Sequence, residues 1–363
     1  MFFLILCIFF SAMFFTNTYA NDIDDYDFSE INEQMQEYDI DFKTMAKLVI
    51  EGKINEAFVK ICKSIAANIF FDFSYQKELI IKIILIGLAG AVFCSLTKSF
   101  SSLQVSVTGS FVAKLVLFTI ITSGYIYSLA IVNEQLENII DFMQVLIPTY
   151  TCAIAFGNGS FTALAFYEVV MFVIFLVDKL IMKLIIPAIN VYMIINLMNY
   201  LTDDNLFSKF TELIKEIIGW MNKSLIGIVI GLNVIKGLIN PILDSLKGTA
   251  INKAISLIPG AGNVINAVTS VVIGSGILIK NTIGVTAMII LFIFCIIPVI
   301  KLFVFAYGCM AACALLEPIA DKTYIGCING MHESVKMMMV CLINVLVLFL
   351  LTIALVCFSQ AKF

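Results

Sequence analysis

The chain has 363 residues, 61% hydrophobic and 13% charged, with a formal net charge of −4 and a mean hydropathy of +1.03. One soluble core cannot bury that much apolar surface, so the composition indicates an integral membrane protein and excludes an ordinary soluble domain. Charge is spread along the chain, without a basic footprint for nucleic acid or a polyacidic tail.

Residues 1–20, MFFLILCIFFSAMFFTNTYA, form an apolar run ending in Thr18-Tyr19-Ala20 and followed at once by NDIDDYDFSE. This is the outline of a secretory signal peptide cleaved after Ala20, or of an uncleaved anchor, since the run lacks an N-terminal Lys or Arg. Residues 21–78 then form an exported acidic and amphipathic region. Nine acids, from Asp22 to Asp41, precede the first lysine, Lys43, so the positive-inside rule does not retain this stretch in the cytoplasm. Ile54, Ala57, Phe58, Ile61, Cys62, Ile65, Ala66 and Ile69 recur at helical spacing and predict a short amphipathic helix.

Residues 79–363 read as a multi-pass membrane domain. Apolar segments near the roughly 20 residues that span a bilayer are Leu79–Leu96, Val112–Val132, Phe161–Val177, Leu184–Leu201, Leu225–Ile242, Thr286–Leu302 and Met337–Val356. The fold class expected is therefore an all-α polytopic membrane protein with about seven transmembrane helices, plus Pro/Gly-broken or re-entrant segments and amphipathic interfacial helices. Lys98 and Lys114 flank a first linker without acids, and Glu134, Glu137 and Asp141 mark a second without bases. That asymmetry puts the first linker in the cytoplasm and the N-terminal region outside.

Two apolar segments carry helix breakers. Leu146–Phe161 contains Pro148, and Leu257–Ile277 contains Pro259, Gly260, Gly262, Gly274 and Gly276. Both read as broken or re-entrant elements, whose freed backbone must be buried in protein or line a wet cavity, or as helices that tolerate these residues. Between them, residues 203–223 place Phe207, Phe210, Leu213, Ile214, Ile217, Ile218 and Met221 on one face and Lys209, Glu212, Lys215, Glu216 and Lys223 on the other. That pattern suits an interfacial helix, with Trp220, the chain's one tryptophan, near the headgroups.

Little here suggests catalysis. His332 is the sole histidine, and phosphate loops, HExxH zinc motifs and nucleophile elbows are missing from the sequence. Neither an enzyme nor a cofactor is expected. The ten cysteines show no CxxC spacing and read as small buried hydrophobes; Cys309 and Cys313, one turn apart, lack partners for a tetrahedral metal site. All 22 basic residues are lysine, which withholds the guanidinium forks that clamp phosphates and carboxylates.

Charges inside apolar sequence are the better lead, because each is costly in lipid unless paired or hydrated. They are Lys82, Lys114, Asp178, Lys179, Lys183, Lys236, Asp244, Lys280, Lys301, Glu317 and Asp321. Lys82, Lys114, Lys179 and Lys183 lie near span ends, where lysines snorkel. Lys301 sits within one long apolar block, three residues after a helix-kinking Pro298. It is either a member of a buried pair or polar path with Glu317 or Asp321, or an ordinary span-end lysine.

Four features together carry a family resemblance: the exported acidic N-terminal region, LIPTYTCAIAFGNGSFTALAFYE, AISLIPGAGNVINAVTSVVIGSGILIKNTIGV, and ALLEPIADKTYIGCINGMHESVK before the last span. In these segments the chain resembles the stage III sporulation protein AE family of endospore-forming bacteria. The resemblance implies a multi-pass protein of the mother-cell membrane that surrounds the forespore. It also implies assembly with other stage III A proteins and a forespore partner, stage II protein Q, in a channel or feeding tube needed for late forespore gene activity. A homo-oligomer stays open, the lipid bilayer is the other expected partner, and nucleic acid is not one. The alternative is a self-sufficient secondary transporter, with the segments around Pro148 and Pro259 as paired discontinuous helices; an intramembrane enzyme built on His332 is a third reading.

Overall fold

A computed structural model of the chain describes residues 74, 76–92, 103–158, 172–201, 207–228, 230–231 and 262–358, with scattered positions between 44 and 59. The signal-peptide segment, most of the amphipathic helix after Gly52, the spans proposed from Phe161 and Leu225 over most of their length, and Pro259 with Gly260 lie outside the described residues. Every element among those described is helical. A helix suits an apolar setting, because it satisfies its backbone hydrogen bonds within one segment.

The helices in chain order are α1 (76–92), α2 (Leu103–Asn158), α3 (Ile186–Leu201), α4 (208–228), α5 (Gly262–Leu316) and α6 (Lys322–Phe358). Residues 172–180 are helical and run into α3 through a π turn at Ile181–Ile185. That turn has a local cause. Pro187 has no N–H to give to the Lys183 carbonyl, and its ring crowds that carbonyl; the turn widens, and the Ile186 N–H bonds the Ile181 carbonyl instead.

Three expectations about breaks are corrected by the backbone. Pro148 lies inside α2, which stays helical to Asn158. Gly262 opens α5, and Gly274 and Gly276 lie within it, continuous with the helix that carries Lys280, Pro298 and Lys301. Residues 172–201, which hold the end of the span expected before Asp178 and the whole of the one after it, are one helical stretch. Glycine weakens an aqueous helix by exposing its backbone to water and by entropy. In apolar surroundings the unmet hydrogen bonds of a break cost more, so the helix persists.

Continuity makes long rods. α2 has 56 residues and α5 has 55, each more than about 80 Å at 1.5 Å per residue, against a hydrocarbon core of about 30 Å. Among the described residues, three helices are long and apolar enough to cross a membrane by length and composition: Lys114–Leu146, Ile283–Leu316 and Lys322–Ala354. The outward face of α2 changes along its length. It is apolar at Phe111, Val112, Leu115, Val116 and Ile126, then polar at Glu134, Glu137, Asp141 and Gln144.

α6 is the centre of the bundle. It folds back against α5 through the turn Glu317–Asp321, which the Glu317 N–H closes on the Cys313 carbonyl (2.8 Å) and the Ala320 N–H on the Leu316 carbonyl (2.7 Å). Asp321 occupies the N-cap position of α6, a site that favours aspartate, and its carbonyl accepts from the Tyr324 N–H at 3.0 Å. α5 also packs along α2, and α6 meets both α2 and α3. Residues 283–291 of α5 are buried at every position, as expected of a helix apolar all round and enclosed by others.

Candidate functional site

Lipid tails are as apolar as leucine, so burial alone does not draw membrane helices together; close packing and polar contacts do. Both are concentrated on one face of α6. Gly326, Gly330 and Ser334 are spaced four apart, which aligns them along a helix. A Cβ at Gly326 would overlap the Tyr200 ring, and one at Gly330 would overlap the Asn196 amide; the Ser334 hydroxyl lies 3.3 Å from Met193 Sδ. The matches run 200, 196, 193 against 326, 330, 334, so α3 lies antiparallel to α6 with its side chains seated over a strip of small residues. Similar seats join other helices: Gly124 faces Phe305, whose Cζ would lie 2.7 Å from a Cβ there, and Gly90 faces Tyr324.

Three successive residues of α6 address three different helices, because each is turned about 100° from the last. His332 turns to α5, where its Nδ1 lies 2.8 Å from the Ala306 carbonyl and its ring meets Tyr307 edge-on with centroids 5.7 Å apart. Glu333 turns to α4 and pairs with Lys215 Nζ at 2.8 Å, with Lys336 Nζ of its own helix at 3.7 Å. Ser334 turns to α3. Two turns further along, Asn222 of α4 donates to Cys341 Sγ at 3.1 Å and accepts from Asn344 Nδ2 at 3.1 Å. Asn222 and Asn344 are buried, so this polar rung fixes the register of α4 on α6.

The amphipathic helix is thereby split in a way its sequence pattern did not distinguish. Ile218 is buried and Ile214 and Met221 pack on the core, whereas Phe207, Phe210, Leu213, Ile217 and Trp220 remain exposed, Trp220 at 70%. On its charged side the hydrogen bond from Lys209 holds the Glu212 carboxyl below its ordinary range.

Of the residues singled out by sequence, Pro298 is buried in α5 and Lys301 half-buried. Glu317 and Asp321 are exposed at the α5–α6 turn. About 22 Å of helix rise separates Lys301 from the end of α5, so the proposed Lys301 pair with Glu317 or Asp321 is not formed. Lys280, Gly262, Gly274, Gly276 and Pro148 are placed by their backbone alone. The sequence reading passed over Gly326, Gly330, Ser334, Asn196, Asn222 and Asn344, although the small-xxx-small spacing was visible in it.

Comparison with known proteins now bears on this arrangement. The family described as Stage III sporulation protein AE matches residues 40–360. The chain belongs to that family. The stage III sporulation protein AE of Bacillus subtilis (strain 168) is 22% identical over 295 residues, which cover 81% of this chain and 74% of that protein. No solved structure matches. Membership gives this stage III sporulation protein AE relative a role in sporulation, and its long apolar helices suggest a membrane protein. The segment GMHESVK, part of the wording that carried the resemblance, contains the three residues that join α6 to α3, α4 and α5.

Proposed function

We propose that this protein is a non-enzymatic membrane subunit of the mother-cell to forespore channel complex, needed for late forespore gene activity. The observation that carries the reading is the family match across residues 40–360. The fold is compatible with it. α2 and α5 are far longer than a bilayer core and extend beyond it, and the outward face of α2 turns acidic from Glu134 onward, giving polar surface for other subunits.

The polar residues described above hold helices together. His332, the residue any acid–base chemistry would need, is engaged with Ala306 and Tyr307 and is 4% exposed. A self-sufficient solute carrier with paired discontinuous helices is less well supported, since Pro148 lies inside a continuous helix. In this proposal the partners are other stage III A proteins, stage II protein Q through the complex, and further copies of the chain. It is placed as a multi-pass protein of the mother-cell membrane around the forespore, with the N-terminal region outside the cytoplasm and the Lys98–Lys114 linker inside.

Affinity purification from sporulating cells tests the proposal: other stage III A proteins co-purify with the tagged chain, and deletion of its gene arrests sporulation after engulfment. Normal spores from the deletion strain refute it.

A further inference from the structure

Asp178 is the least provided-for residue in the bundle. It is 1% exposed, and neither carboxyl oxygen has a hydrogen-bond partner. Its core-side neighbours along the helix are Ile174, Val177 and Ile181. The adjacent Lys179 does not neutralise it, for its Nζ lies over the Phe175 ring, 4.9 Å from the centroid, and Lys183 is exposed. The titratable neighbour that feels the Asp178 charge is Cys295 of α5, itself fully enclosed. Glu134, Glu137 and Asp141 of α2 point outward, Lys301 lies further up α5, and α6 carries no charge between Met337 and Phe358.

A second polar group of the bundle is also enclosed, and the helix of Asp178 is irregular. Gln135 of α2 is 2% exposed, and its Nε2 also has no partner. The helix of Asp178 leaves its regular ladder three residues later, at the π turn Ile181–Ile185 that Pro187 imposes; such turns are frequent at functional sites. An apolar side chain of similar size would stabilise this position more than a carboxyl with no partner. A buried ionisable group of that kind is best explained by what it binds.

We propose that Asp178 is a proton-binding site inside the helical bundle: a carboxylate oxygen lone pair takes a proton from a hydronium ion, leaving water, and the resulting O–H bond breaks when the proton returns to water. The site uses no catalytic partner and goes beyond the sporulation role. It links the position of the 172–180 segment to proton concentration, because the anion requires water and the neutral acid does not.

The test is infrared difference spectroscopy of the full chain in liposomes, wild type minus Asp178→Asn. A carboxylic-acid carbonyl band at neutral pH, lost as pH rises with about a tenfold change in acid-to-anion ratio per pH unit, is the expected result. Dicyclohexylcarbodiimide, an apolar reagent for protonated carboxyls, should form an adduct at Asp178 that the variant lacks. Absence of the infrared band overturns the proposal. So does a band or adduct suppressed by sodium chloride but not by choline chloride, which would assign the site to a metal cation. A fall in thermal midpoint for Asp178→Asn also overturns it, since that would mean the carboxylate is a structural partner.

Discussion

Gly326→Ala and Gly219→Ala are the same chemical change in two helices, and the structure predicts opposite signs for them. In a helix, alanine is favoured over glycine by about 1 kcal/mol, chiefly through lost unfolded-state freedom. At Gly219 of α4 an added Cβ meets nothing within 4 Å, so this gain stands and Gly219→Ala stabilises by about 0.5–1 kcal/mol. At Gly326 the Cβ overlaps several atoms of the Tyr200 ring. Forcing an extra methyl into packed structure costs about 1–3 kcal/mol, and α3 has to lift from α6 or Tyr200 has to leave its rotamer. The net expectation for Gly326→Ala is a loss of about 1–2 kcal/mol, which places the two variants about 2 kcal/mol apart. Thermal unfolding of both in one detergent, followed by α-helical circular dichroism, reads the difference as midpoints on opposite sides of the wild type. If Gly326→Ala is as stable as Gly219→Ala, the α3–α6 contact is not seated on the small-residue strip and the packing argument fails.

Three further outcomes follow from the same bundle. Asn222→Leu strands the buried Asn344 amide and should cost about 1–3 kcal/mol, most of which the double change Asn222→Leu with Asn344→Leu recovers; additive losses would show that the rung is not a coupled pair. Trp220, 70% exposed on the apolar side of α4, should be quenched in liposomes by lipids brominated near the headgroups and little affected by lipids brominated near the chain ends. Unquenched fluorescence would remove α4 from the membrane surface. Among the described cysteines, Cys295, Cys309, Cys327 and Cys341 are buried and Cys313 partly exposed, so brief maleimide treatment of the native protein should label Cys313 before the other four, as read by peptide mass spectrometry.

How much of this was legible beforehand divides along a physical line. Properties of one helix at a time were readable, because hydropathy and spacing are local: the apolar block of α5 with Pro298, the final helix and the amphipathic segment at 203–223 were all visible. Breaks were over-read at Pro148, Gly274 and Gly276, since rules for helix interruption reflect competition with water that an apolar setting removes. The Lys301 pairing with Glu317 or Asp321 failed for a different reason. Closeness in sequence on a straight helix is distance in space. What joins helices was the least legible, since Gly326 and Gly330 acquire meaning only once Tyr200 and Asn196 lie over them, and Asp178 looked like any charge near a span end until its burial was known.

The contacts that hold α3 and α4 to α6 join residues far apart in the chain: 141 positions for Met193 and Ser334, 119 for Asn222 and Cys341. During synthesis, α3 and α4 are therefore made long before their polar partners in α6 exist. The Asn222 amide meets neither Cys341 nor Asn344 in that interval and has to be satisfied by water or other protein, because lipid cannot do so. A chain halted before Lys322 would carry this amide without those partners, so the register of α4 is set only once α6 has been made.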